Sequence, residues 1–353
     1  MTVVRTQTEI SYPGLFQPND LSRAAVYREV IGDEAEWARS VLSNWIAPNT
    51  ARMIDRLEHR DTDAAHFRVS GNERCLFLKG RRILPDGPSL EREVKIAAWL
   101  AGKDIKVPKP HRTPADAAVI ANSGWAWALF DFVEGSGFTG ADGELESAAR
   151  ELSRLTHIGR DWHEYYRHPT ARDLFSDLDG LIAKAHAVDW VRRLVAAHSE
   201  PVRQSSARVL MRLAEIEGNI TLTHVDFHPR NMIVANGHVQ SILDFEDVKP
   251  YPLLAAVGFA AFKLIRQVAA HRRQPGLTKL FFVEQCDIWQ KSWSMFPNTA
   301  IAKSDLADGA RYIVLQLIHF ILDAHIVKAD DRYLDDLEKQ LLSLSEIVEI
   351  FDE

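Results

Sequence analysis

The apolar positions of this chain change their spacing part-way along it. Up to about residue 133 they come in short runs: Arg74-Cys75-Leu76-Phe77-Leu78-Lys79 is apolar and ends in a lysine, and Trp125 to Glu134 is apolar and aromatic and ends at Gly135. Runs of this length and composition predict strands. Between them, Ser89 to Leu100 has helical spacing, with Ser89 placed to cap the first turn. From Glu134 onward the spacing is mainly helical, predicting amphipathic helices over 144–166, 178–198, 202–217, 253–272, 278–294, 305–327 and 331–350. Residues 1–45 read as an N-terminal extension, polar and proline-punctuated at first and then helical from Leu21 to Trp45. The pattern divides the chain into 1–45, a small β-rich lobe with one helix over 46–133, and a large helical part over 134–353. It contains no internal repeat and no low-complexity segment.

One stretch interrupts the helical part. Met232-Ile233-Val234-Ala235 and His238 to Phe245 are β-rich runs separated by Asn236-Gly237, the dipeptide that best tolerates the two positive φ angles of a type I′ turn. Folding the strands back on each other places Asn231, before the first, and Asp244, near the end of the second, at the same end of the hairpin. Both carry hard oxygen ligands, suited to Mg²⁺ shared with substrate phosphates. Asp226 lies five residues upstream of Asn231, in a loop that Pro229 stiffens, where a general base for an incoming hydroxyl would stand. Singly, such residues are most often turn formers, and His224, Asp226 and His228 can also be read as zinc ligands. That second reading leaves Asn231 and Asp244 unexplained.

His224-x-Asp226-x4-Asn231 followed by Ile242-Leu243-Asp244-Phe245-Glu246-Asp247 resembles the catalytic and metal-binding segments of the aminoglycoside phosphotransferase and choline kinase-like family, relatives of the protein kinases. The resemblance implies an α+β, two-lobed protein-kinase-like fold, with a nucleotide-binding lobe over 46–133 and a catalytic and acceptor-binding lobe over 134–353. It implies that Asp226 is the catalytic base, that Asn231 and Asp244 are Mg²⁺ ligands and that His224 braces the loop; His228 receives no assignment. It also requires a phosphate-gripping lysine with a glutamate partner upstream. Lys79 and, fourteen residues on, Glu93 match those positions, with Glu91 an alternative on a different helix face. Val107-Pro108-Lys109-Pro110 resembles the family's entry to the next strand, and the adenine contact is expected near Asp131, Phe132 and Val133.

The chain departs from the family pattern twice. The loop between the first two strands, His59 to His66, contains no glycine and two aspartates, which puts phosphate grip and the choice of ATP over GTP in question. The acidic residue expected about ten positions after Asp244 is missing from Tyr251 to Ala256. A competing signal, Gly135-Ser136-Gly137-Phe138-Thr139-Gly140, fits a dinucleotide fingerprint after a strand, but no second strand ending in an acidic residue follows. Those glycines are expected instead to make a flexible hinge exit.

Composition bounds the rest. At 353 residues and 46% hydrophobic content the chain can bury one large or two modest cores, and its length predicts about two domains. Cys75 and Cys286, far apart, form no disulfide framework, which fits a reducing cytoplasm. The first ten residues lack the apolar region of a signal peptide. The longest apolar run, Pro252 to Phe262, is shorter than the ~20 residues a bilayer needs and reads as a buried helix. A net charge of −7 argues against a nucleic-acid partner. Neither a membrane nor a nucleic acid is expected as a partner, and monomer and homodimer both remain open.

The first apolar helix follows Asp244 within about ten residues, leaving little room for a peptide-docking segment, so the acceptor is expected to be a small molecule. Trp162, Tyr165, Trp289, Trp293 and Phe296 are candidates to stack on it, against the simpler reading that they are core. Glu246 and Asp247 are candidates to receive an amine or a hydroxyl. The resulting expectation is an ATP- or GTP-dependent, Mg²⁺-dependent phosphotransferase acting on a hydroxyl of an aminoglycoside, amino alcohol or sugar. The alternative is a nucleotide-binding regulatory protein that no longer transfers phosphate.

Overall fold

The computed structural model describes residues 27–47, 50–57, 63–71, 74–84, 89–163, 178–184, 189–272, 278–297 and 300–351. The small lobe is built on a seven-stranded antiparallel sheet. Its strands are β1 (Tyr27–Glu29), β2 (Met53–Leu57), β3 (Ala64–Ser70), β4 (Cys75–Arg82), β5 (Pro110–His111), β6 (Ile120–Asn122) and β7 (Trp125–Asp131), in the order β1-β2-β3-β4-β7-β5, with β6 also on β7.

Alternation along the central strands gives the sheet two different faces. Leu76 and Leu78 of β4 and Trp127 and Leu129 of β7 point to a core shared with helix α1 (Asp33–Leu42). Trp37 of α1 stands edge-on to Trp127 there, ring centroids 4.8 Å apart. The intervening residues, Phe77 on β4 and Ala128 and Phe130 on β7, belong to the core on the other side, with helix α2 (Leu90–Gly102). Ser89 caps α2, its hydroxyl accepting from the Arg92 N–H. Lys79 and Arg81 share the face of Phe77, so the period of two delivers both cations to the α2 side of the sheet.

The first helix differs from expectation. It starts at Asp33 rather than Leu21, because Tyr27–Glu29 instead pairs with β2 and extends the sheet. The helical spacing beyond residue 33 is genuine, but a strand of three residues is too short to show its own period.

The large lobe opens with β8 (Ser136–Gly137) and α3 (Glu144–Gly159), continues through α4 (Asp189–Ala197), α5 (Ser199–Met211) and α6 (Leu213–Glu217), and then carries the β-structure of the site: β9 (Ile220–His224), β10 (Met232–Ala235), β11 (His238–Ile242) and β12 (Val248–Pro252). It closes with α7 (Leu253–Arg272), α8 (Lys279–Trp293), α9 (Lys303–Lys328) and α10 (Leu337–Phe351). The central helix α7 is mostly apolar and buried along nearly its whole length, as expected of a helix with neighbours on every side. It lies against α9 so closely that a Cβ on Gly309 would stand 1.9 Å from the Leu254 carbonyl oxygen.

Candidate active site

The catalytic segment is held at both ends by backbone pairing. β9 pairs antiparallel with β12, His224 opposite Val248, and the Val225 N–H donates to the Asp247 carbonyl at 3.1 Å. This ladder supports the loop where the expected acidic residue is missing. His224 is fully buried, and its Nε2 donates to the Leu243 carbonyl at 2.8 Å, tying the start of the loop to the residue before Asp244. Burial pushes its pKa below the ordinary value, so the ring is neutral, as a brace rather than a charge.

Between these ties, Pro229–Asn231 forms a single 3-10 turn, entered from His228 in an extended conformation. His228 Nδ1 accepts from the Arg230 N–H at 3.1 Å, which leaves the proton on Nε2, 3.1 Å from Asp226 Oδ2. His228, which sequence reasoning left unassigned, therefore orients the Asp226 carboxylate. Burial pushes that carboxyl up, but the hydrogen bond from His228, with Lys263 beyond, outweighs it and lowers its pKa to about 2. The Asp226 side chain remains 42% exposed, open to an incoming group.

Asn231 Nδ2 donates to the Asp226 carbonyl at 3.0 Å, which fixes the amide and leaves Oδ1 without a partner among the described residues. The Asn231 carbonyl accepts from the Leu243 N–H at 2.9 Å, placing Asn231 beside Asp244 as the hairpin requires. The hairpin itself has the two positive φ angles of a type I′ turn, 52° at Asn236 and 73° at Gly237. β11 ends at Ile242, three residues short of expectation, because Asp244 turns into the left-handed region at φ 61° and Phe245–Asp247 forms a second 3-10 turn. A non-glycine residue held there is mildly strained. The turn aims the Asp244 carboxylate across the cleft at the small lobe.

There Lys79 Nζ lies 2.6 Å from Glu93 Oε1 and 3.2 Å from Asp244 Oδ1. Burial works against its charge, but the two carboxylates outweigh it and hold the ammonium above its ordinary pKa. Glu91 is turned away to the Ser89 hydroxyl at 3.0 Å, which leaves Glu93 as the lysine's partner. Sequence reasoning missed Arg81, two residues beyond Lys79 on the same face, which forms a close ion pair with Glu246. Burial and the neighbouring Asp244 push the Glu246 carboxyl up to about 7 even against that guanidinium, the cost of leaving water exceeding the gain from pairing. Glu246 therefore faces the small lobe and Asp247 pairs with Lys249 at 3.1 Å, so neither stands free to meet an acceptor.

Asn231 Oδ1 and the Asp244 carboxylate are hard oxygens at one end of one hairpin, which fits Mg²⁺ with its remaining positions filled by phosphate and water. Among the described residues no three His, Cys, Asp or Glu side chains converge on a metal position, so the zinc reading of His224, Asp226 and His228 is not supported. At the junction of the lobes, the Asp131 N–H donates to the Lys109 carbonyl and the Phe132 N–H to the Cys75 carbonyl, while the Val133 N–H has no partner among the described residues. Val133 is thus the one of the three with a backbone donor to offer.

Other candidates are placed differently. Trp289 and Trp293 are fully buried core residues, and Trp162 packs edge-on to Trp99 at 5.0 Å. Tyr165 lies outside the described residues, as do residues 59–62 of the glycine-free loop. Of that loop's aspartates, Asp63 is turned to Arg82 at 3.2 Å. Gly135 and Gly137 belong to no dinucleotide unit: β8 pairs with β10, and a Cβ on Gly135 would meet Ile233 Cγ2 at 2.5 Å. Close approach to the catalytic hairpin, rather than flexibility, calls for glycine there.

The model of the phosphotransferase enzyme family matches residues 58–286, most of both lobes and the whole catalytic segment. The chain belongs to the phosphotransferase enzyme family. It is a small-molecule phosphotransferase with the protein-kinase-like fold that its motifs imply. No curated protein matches it. Solved structures share the fold at low identity. An aminoglycoside phosphotransferase from Alicyclobacillus acidocaldarius superposes with a TM-score of 0.63 at 15% identity, covering 89% of this chain and 93% of that one. An amicoumacin kinase in complex with AMP-PNP, Ca²⁺ and Ami gives 0.61 at 15% identity, with 90% and 95% covered. A microcompartment-associated aminopropanol kinase gives 0.59 at 14% identity, with 89% and 95% covered. In this phosphotransferase the motif residues come from strands and turns of both lobes, as a two-lobed site requires.

Proposed function

We propose that this phosphotransferase moves the γ-phosphate of ATP, with GTP as a second possible donor, to a hydroxyl of a small molecule, with Mg²⁺. The convergence of Lys79, Asn231 and Asp244 at one point of the cleft, with Asp226 oriented beside them, carries the reading. Lys79, charged and steered by Glu93, pairs with the donor phosphates. Mg²⁺ held by Asn231 Oδ1 and Asp244 would offset the negative charge of the β- and γ-phosphates. Val133 offers its N–H to adenine at the lobe junction. Asp226, ionised at neutral pH and held by His228, accepts the acceptor's hydroxyl proton as the new O–P bond forms; the γ-phosphorus separates from the bridging oxygen, which leaves with the electron pair on the nucleoside diphosphate.

The test is nucleoside diphosphate release from ATP or GTP with Mg²⁺ over a panel of alcohols, amino alcohols and sugars. Asp226→Ala is expected to lower turnover by about 10²-fold or more with nucleotide binding largely kept. Unchanged turnover in that variant removes Asp226 as the base, and nucleotide binding with no transfer to any acceptor points to a regulatory protein instead.

A further inference from the structure

Helix α7 carries two buried charges, Lys263 and Arg266, along a largely apolar length. Lys263 is only 7% exposed, has no hydrogen bond or close ion pair among the described residues, and lies over the Phe259 ring at 5.1 Å. Arg266, one turn on, is locked to Glu346 of α10 at 2.7 Å. α7 packs against the 3-10 turn Pro229–Asn231 and against α10, and Lys263 is near enough to Asp226 that their charges act on each other. Lys339 of α10 is within electrostatic reach of Lys263, Arg266, Arg230 and Asp226, and pairs loosely, at 4.0 Å, with Asp336, which is largely in solvent.

Of the carboxylates here, Glu346 is paired with Arg266, while Asp226, which His228 holds by a hydrogen bond rather than an opposite charge, and Asp336 stand against Lys263, Lys339 and Arg230. The balance is positive. A buried ammonium without a counter-charge is costly, and a leucine in its place on α7 would avoid the cost. Its retention beside the reacting centre calls for a ligand that brings negative charge. The same field repels an amine.

We propose that the acceptor carries an anionic group, a carboxylate or a phosphate, which Lys263 and Lys339 hold while its hydroxyl faces Asp226. This rests on the phosphotransferase reading above and narrows its acceptor from an amine or neutral sugar to a hydroxy acid or a phosphorylated alcohol.

A matched set separates the possibilities: glucose, glucosamine, gluconate and glucose 6-phosphate, with glycerol, glycerate and glycerol 3-phosphate as the shorter series. Binding is read as thermal stabilisation in the presence of AMP-PNP and Mg²⁺, and transfer as ADP release. Anionic members are expected to bind at least about tenfold more tightly than their neutral or amine counterparts. Lys263→Met is expected to raise KM for them about tenfold or more with a smaller change in kcat, and Lys263→Arg to restore most of the loss. Gluconate against glucose 6-phosphate tells carboxylate from phosphate. Retained stabilisation by AMP-PNP shows that the variants are folded. Preference for glucosamine or glucose, or a Lys263→Met loss equal for all acceptors and confined to kcat, overturns the proposal; the second result would assign the lysine to the transferred phosphoryl group. Anion-dependent, Lys263-dependent stabilisation without any ADP release defeats the transfer reading and leaves the anion subsite standing.

Discussion

Asp226 and Lys263 each give the site a distinct pH response. The Asp226 pKa is lowered to about 2, so its stabilising contribution is present above the ordinary carboxylate range and is lost only as pH falls from about 4 toward 2. The proposed base is therefore ionised at any pH at which the enzyme is assayed, and the acid limb of kcat/KM is not its titration. Removing the His228 hydrogen bond by His228→Ala is expected to raise that pKa and bring the acid limb into the range of pH 4–5, with a turnover loss of about tenfold at pH 7; an unchanged profile would refute the orienting role. Lys263 has the opposite linkage. Burial lowers it to about 7, so between about pH 7 and its ordinary value of 10.5 the unfolded chain holds a proton that the folded one has released. Stability from this group accordingly rises with pH across that window. Lys263→Met is expected to raise Tm at pH 7 by about 2 °C or more, the gain shrinking toward pH 10. A uniform gain at all pH values would mean that packing, not charge, is responsible.

The helices and the hairpin show why some elements can be read from sequence and others cannot. α7 was legible to the residue because a long apolar run bounded by Pro252 and basic residues has few other interpretations, and the hairpin because Asn236-Gly237 sets its turn. Strand β1 was not legible: its pairing with β2 is decided by tertiary contact rather than by three residues of local pattern. Nor was the end of β11, where the functional conformation of Asp244 overrides the local preference for strand. Side-chain partnerships were legible in part. Lys79 with Glu93 follows from order and spacing, whereas Arg81 with Glu246 joins residues whose separation in sequence carries no signal. At the helix level, the α7–α9 crossing makes a sharp prediction. Alanine normally stabilises a helix over glycine by about 1 kcal/mol. Gly309→Ala should instead destabilise by about 2 kcal/mol or more, seen in the denaturant midpoint, because its Cβ would overlap the Leu254 carbonyl.

For the molecule as a whole, the ties between the two lobes include two groups proposed to work on the substrate, Lys79 and Asp244. Lys79 to Asp244, Arg81 to Glu246 and Arg92 to the Val248 carbonyl at 2.9 Å all cross the cleft. Lys79 and Glu93 are nearly enclosed, so Lys79→Met leaves a buried carboxylate unpaired; it is expected to cost about 3–5 kcal/mol of stability as well as activity, which a urea titration beside the kinetics would separate from a purely catalytic loss. The shared ammonium has a further consequence. Because one cation answers to a carboxylate from each lobe, a phosphate arriving at Lys79 under the proposed function would compete with Asp244 for it. Donor entry would then be an exchange of partners rather than the filling of a gap. Asp244 would turn toward the proposed metal as the phosphate is gripped, which would make the order of assembly a property of a single side chain.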